Sequence, residues 1–209
     1  MKSIQISHAS SGGAAAFSLV EMAAVIAILL VVMTAGIGLR TGAPVATQRV
    51  AADLVSAMAD RARTSAISKR SSVVMAMATP ADLPVGADGR CRIGLFQVIS
   101  ESGEASSLVR TVTQLGRWQR LDRSIGWAAG KVDGAVNPFE SPRLVLRDGE
   151  ETLRLHCIIF HSRGGLEWPL GSAPAVIRIS QAGALSSGKV VPENRLRVGR
   201  INGRSYPSE

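Results

Sequence analysis

Phe17-Ser18-Leu19-Val20-Glu21-Met22 opens an apolar run that continues to Leu39, and Glu21 is the only charged residue within it. As a helix rising about 1.5 Å per residue, the run covers roughly 34 Å, enough for a bilayer's hydrocarbon core. The pattern predicts a membrane-length helix over 17–39. A carboxylate in such a segment costs about 2.5 to 3.5 kcal/mol at the centre and less towards an end, so Glu21 needs a partner. No Lys, Arg or His lies between Phe17 and Leu39 to provide one.

Ahead of the run, Met1 to Ala16 is short and polar, with one basic side chain, Lys2, and a small-residue stretch ending in Ala14-Ala15-Ala16. An ordinary secretory signal has its apolar region before the small-residue cleavage site, whereas here the order is reversed. Cleavage after Ala16 leaves the hydrophobic helix on the mature chain. It also creates an ammonium at Phe17, four positions from Glu21, and residues at i and i+4 share a helix face. The missing cation therefore appears on cleavage.

Ala16/Phe17-Ser18-Leu19-Val20-Glu21-Met22 followed by the apolar run resembles the N-terminus of type IV prepilins and pseudopilins, with Ala16 standing where that family usually has Gly. The resemblance implies that a prepilin peptidase cuts between Ala16 and Phe17 and methylates the new amine. It also implies that Glu21 pairs with the N-terminal amine of a neighbouring subunit in the packed core of a filament. A buried charge without its partner is costly, so such a pair favours one assembly register.

Gly36, Gly38, Gly42 and Pro44 interrupt the pattern and predict a bend or a melted turn. An amphipathic helix is expected to resume to about Arg70, with Val50, Leu54, Val55, Met58, Ala62 and Ala66 on its apolar face and Asp53, Asp60, Arg63 and Lys69 off it. Beyond Thr79-Pro80 the chain turns to short β-type runs separated by Gly, Pro, Asp and Asn. Strands are predicted near 73–78, 92–99, 108–113, 143–146, 153–160, 175–180 and 195–201. The stretch Asp60-Arg61-Ala62-Arg63-Thr64-Ser65-Ala66-Ile67, the apolar strand ending in Phe160, and the Gly199-Arg200 to Gly203-Arg204 ending are similar to the GspH/FimT-type minor pseudopilins.

Together these readings predict an α+β fold, with a long N-terminal helix, membrane half followed by amphipathic half, packed on an antiparallel β-sheet domain. The expected division is a leader over 1–16, a transmembrane or filament-core helix over 17–39, an amphipathic continuation over 40–70 and a β-rich globular domain over 71–209. The implied function is that of a minor pilin or pseudopilin, a structural subunit of a type IV pilus or type II secretion filament and not an enzyme. Its implied partners are other pilins or pseudopilins, prepilin peptidase and the inner membrane. Its implied place is single-pass in the cytoplasmic membrane with the C-terminal domain outside.

A second reading comes from charge. The chain carries 24 Lys+Arg against 16 Asp+Glu, and Arg195, Arg197, Arg200 and Arg204 crowd its C-terminal segment. Such a patch holds phosphates without reading sequence, so the alternative function is a filament-tip module that captures DNA or another anionic ligand. A solvated strand face looks the same, and a plain single-span protein with an unrelated sheet domain is the third reading. Cys91 and Cys157 are either the two halves of one disulfide in an exported domain or two buried small hydrophobes. His156 and His161 fall on opposite faces of a regular strand, and no metal or cofactor is expected.

Overall fold

A computed structural model describes residues 19–82, 88–102, 109–182 and 193–208. Helix α1 spans Leu19–Lys69 and is followed by β1 (Val73–Ala78), β2 (Arg92–Ser102), β3 (Val109–Gln114), β4 (Gln119–Arg120) and β5 (Ile125–Trp127). Then come β6 (Leu144–Asp148), β7 (Glu151–Phe160), β8 (Leu166–Trp168), β9 (Ala175–Gln181), β10 (Asn194–Val198) and β11 (Ser205–Ser208). The contacts divide the chain into two units, Met1–Gly42 and Ala43–Glu209. The helical backbone is continuous through Gly36, Gly38, Gly42 and Pro44, where a bend is expected from sequence. The division between units falls at the same place.

The first correction concerns the sheet. β1 pairs with β2, β2 with β3, β3 with β6, β6 with β7, and β7 returns to β1, so five strands close into a barrel. β4 and β8 extend the barrel sheet off β2 and β7. The closing β3–β6 pair is parallel, whereas the other four contacts of the ring are antiparallel. A second, four-stranded sheet runs β11-β10-β9-β5. The expected helix on an antiparallel sheet is thus replaced by a mostly β unit built of a barrel and a second sheet. Alternation in a single strand reports which residues share a face; it carries no information about which strands meet.

Alternation along the barrel strands separates two cores. Val74, Ala76 and Ala78 of β1 join Phe96, Val112, Leu144, Leu146, Leu155, Cys157 and Ile159 in one cluster, the barrel interior. The intervening Val73, Met75 and Met77 join Ile93, Leu95, Ile158 and Phe160 in a second cluster outside the barrel wall. That second cluster also takes Ile177, Ile179, Leu196 and Val198 of the four-stranded sheet and Ala51, Val55, Met58, Ala59, Ala62 and Ala66 of α1. Every residue of β1 is buried, because each of its faces meets a core. At about 1.5 to 3 kcal/mol for each large apolar side chain removed from water, both clusters are major contributors to stability. Gly94 keeps the interior open for aromatics, since a Cβ there lies 2.9 Å from both Phe96 and Trp118.

The second correction concerns the membrane. Among the described residues no helix is long and apolar enough to cross one. The side chains described in the apolar part of α1 are those of 22–29, all exposed. The transmembrane character expected of the helix over 17–39 is corrected to that extent. On the amphipathic part, Ala51 and Ala59 take core positions while Val50, expected on the apolar face, is 67% exposed.

Candidate functional site

Of the processing and assembly residues, Ala16 and Phe17 lie outside the described residues. Glu21 lies within α1, but its side chain is also outside them. The geometry that can be built is that of the basic surfaces and the cysteines.

Cys91 and Cys157 are both free and buried, which is the second of the two readings left open by the sequence, two buried small hydrophobes and not a disulfide. Cys91 belongs to the core outside the barrel wall and Cys157 to the barrel interior, so the wall itself separates the two thiols. Burial pushes both thiols above their ordinary pKa, which makes them poor nucleophiles and poor ligands. Among the described residues no three His, Cys, Asp or Glu side chains stand together. His156 sits against Phe139, with ring centroids 4.7 Å apart, and takes a hydrogen bond from Arg143 Nε at 3.1 Å.

The C-terminal arginines do not form one patch. On β10, Arg195 and Arg197 alternate with the buried Leu196 and Val198 and so face outward together. Arg195 lies directly across from Arg178 of β9. Both are held by Glu193, which accepts from Arg178 Nη2 at 2.7 Å and from Arg195 Nε at 2.8 Å. Burial pushes the Glu193 carboxyl up, but the hydrogen bonds from Arg178 and Arg195 outweigh it and hold the group below its ordinary value. Arg178 spends its remaining Nη1 on Ala129 O at 2.8 Å. These two cations are therefore largely committed within the fold.

Arg200 turns the other way. Its Nη1 donates to Pro169 O and its Nη2 to Glu167 O, while its own carbonyl accepts from Leu166 N at 2.8 Å, so it ties the turn after β10 to β8. Arg204 is exposed in that turn, with its backbone N–H on Asn202 Oδ1. The turn is fastened to α1 through Arg63 Nε to Asn202 O at 2.5 Å, and the start of β11 through a Ser56–Ser205 hydroxyl contact of 2.8 Å. Arg197 stays at the outward groove, a cavity of about 290 Å³ lined by Lys131, Asp133, Arg178 and Arg195 among others. Lys131, Arg178 and Glu193 are absent from the sequence reading, because only strand pairing and the turn-rich 128–142 segment bring them beside Arg195.

A denser cationic cluster lies elsewhere. Asp88 receives Arg92 Nη2 at 3.0 Å, Arg120 Nη1 at 3.4 Å and Arg90 Nε at 3.6 Å. The pairing of β2 with β4 sets Arg92 opposite Arg120, which brings two distant sequence segments to one carboxylate. The signal available in sequence is Asp88-Gly89-Arg90-Cys91-Arg92, whose alternating arginines flank a buried cysteine.

A third charged group is centred on a buried cation. Arg110 on β3 is 4% exposed and shares the inward parity of Val112. It meets Glu101 Oε1 at 2.5 Å and Glu167 Oε1 at 2.9 Å. A bulge in β2 between Val98 and Ser100 shifts the register by one residue and so sets Glu101 opposite Arg110. Ser72 Oγ completes the group by donating to Glu167 Oε2 at 2.8 Å.

Compared with protein-family models, with curated proteins and with solved structures, the chain matches none.

Proposed function

We propose that the chain is a minor pilin or pseudopilin, a structural subunit of a type IV pilus or type II secretion filament, cut before Phe17 and assembled through its N-terminal helix. The observation that carries this reading is the hexapeptide Phe17-Ser18-Leu19-Val20-Glu21-Met22 at the head of the apolar run. It is supported by α1, an α-helix over Leu19–Lys69 whose Ala59, Ala62 and Ala66 are buried in one core cluster with β-strand residues. A cut at Phe17 supplies an ammonium one helical turn from Glu21, and pairing across subunits satisfies both charges in an apolar filament core. On this reading the β-rich unit works outside the cytoplasm.

The test is mass spectrometry of the protein extracted from cells with active prepilin peptidase. A terminus at Phe17 carrying a methyl group is expected, and an intact leader overturns the reading. In the same cells Glu21→Ala is expected to abolish incorporation into filaments while leaving the melting temperature of the β-rich unit unchanged.

A further inference from the structure

The arginines around Asp88 adjoin an apolar groove, and the two share Arg120. Its guanidinium is 60% exposed where it reaches Asp88. Arg123 adds a fourth cation, its Nη2 donating to the Asp88 backbone carbonyl at 3.4 Å. Asp122, the other carboxylate nearby, is occupied by its hydrogen bonds from Ser124 N at 2.8 Å and Ser124 Oγ at 2.6 Å. The hydrogen bond from Arg92 is the largest influence on the Asp88 carboxyl and holds it below its ordinary value, so it stays ionised and keeps the guanidiniums gathered. Four cations face two carboxylates, which leaves an excess of positive charge on one small surface.

The groove runs from Arg120, Leu121 and Asp122 to Ala46, Val50 and Leu54 of α1 and has a volume of about 310 Å³. Its floor is apolar and open, with Val50 67% exposed. Val45, beside it in sequence, is also exposed at 55%. A cationic lip over an apolar trough matches an amphiphile with an anionic head. A simple oxyanion leaves the trough empty, and an uncharged hydrocarbon leaves the arginines unanswered.

We propose that this is a binding site for one anionic phospholipid, with the phosphate at Arg120 and Arg123 and an acyl chain along Val50 and Leu54. The head accepts charge-assisted hydrogen bonds from guanidiniums that Asp88 has already drawn together, so little ordering remains to be done on binding. A zwitterionic lipid brings a quaternary ammonium against the same arginines and is disfavoured. The inference stands on the groove and its charges and is independent of the filament reading.

The test places a photo-crosslinker in the trough, Val50→p-benzoylphenylalanine, in the full-length chain in mixed micelles containing either phosphatidylglycerol or phosphatidylcholine. Mass spectrometry then reads the lipid adducts at that position. At the strength usual for a cationic side chain beside an anionic lipid, a preference for phosphatidylglycerol of about tenfold is expected. Arg120→Gln with Arg123→Gln is expected to bring the two yields level, and Asp122→Asn to raise the preference. Both arginines are exposed, so an unchanged melting temperature is expected for the pair. Equal yields from the two lipids, no adduct at all, or a preference that survives loss of both arginines each overturns the proposal.

Discussion

Arg110 and Asp88 each stand at the centre of an ion cluster, with the proportions reversed. Arg110 is one cation between two carboxylates, 4% exposed, and reaches both at 2.5 and 2.9 Å. Asp88 is one carboxylate among three guanidiniums at 3.0 to 3.6 Å, two of which are over 40% exposed. The first arrangement is closed around its cation, because the Arg110 guanidinium is buried and both of its partners are supplied by the fold. The second retains excess charge at the surface, where only a ligand or salt can neutralise it. The number of arginines in a region is thus a weaker guide to its use than their balance against carboxylates, and the Glu193 pair on the second sheet falls nearer the closed kind.

The contrast is broken most severely from the buried side. Arg110→Ala leaves Glu101 and Glu167 facing each other with no cation between them, and because both carboxylates reach solvent a loss of about 1 to 3 kcal/mol in urea unfolding is expected. Replacing the group together, Arg110→Met with Glu101→Leu and Glu167→Gln, removes the unmatched charges as well and is expected to recover most of that loss.

An intermediate effect is expected at His156. Its Nε2 accepts from Arg143, which leaves Nδ1 to donate to Pro138 O at 3.1 Å and fixes the neutral ring. Burial lowers its pKa from the ordinary 6.5, and the Arg143 charge lowers it further. Between the lowered native value and 6.5 the unfolded chain binds the extra proton and the folded chain does not. Its contribution is therefore complete above 6.5 and is lost as pH falls through the native value. Urea midpoints measured from about pH 7.5 to 5 are expected to fall more steeply for the native chain than for His156→Gln. Equal slopes would falsify this assignment.

The smallest effect is expected at Asp88. Asp88→Asn leaves the arginines to repel one another in solvent, so the melting temperature is expected to drop slightly at low ionic strength and to return in high salt. A drop that persists in high salt marks Asp88 as a packing residue and removes the contrast with Arg110.

Much of the local structure is legible from residue order. The run from Val73 to Ala78 and the alternation of Leu153, Leu155 and Cys157 identify β1 and the body of β7, because β-branched and aliphatic residues at period two fit a pleated surface. The short strands Gln119–Arg120, Ile125–Trp127, Leu166–Trp168 and Ser205–Ser208 escape notice, since two to four residues cannot display a period. Barrel closure escapes for a different reason. It depends on β1 being shared by β2 and β7, a relation between residues some eighty positions apart that no window of sequence contains. The charged sites follow the same rule. Arg195 and Arg197 are legible as an outward pair on one strand, whereas the commitment of Arg195 to Glu193 and the meeting of Arg92 with Arg120 are products of pairing.

The shared position of β1 also sets an order of events during folding. β1 can pair with β2 soon after residue 102 has been made, but its other edge stays open until β7 arrives, and the parallel β3–β6 contact must form across the same interval. Contacts of such long sequence separation form late and slow the reaction. The Ser56–Ser205 contact comes later still, joining the helix to a strand at the far end of the chain. A nascent chain therefore carries an open, aggregation-prone edge on β1 until β7 has emerged, and removal of β11 falls on the last of these contacts to lock.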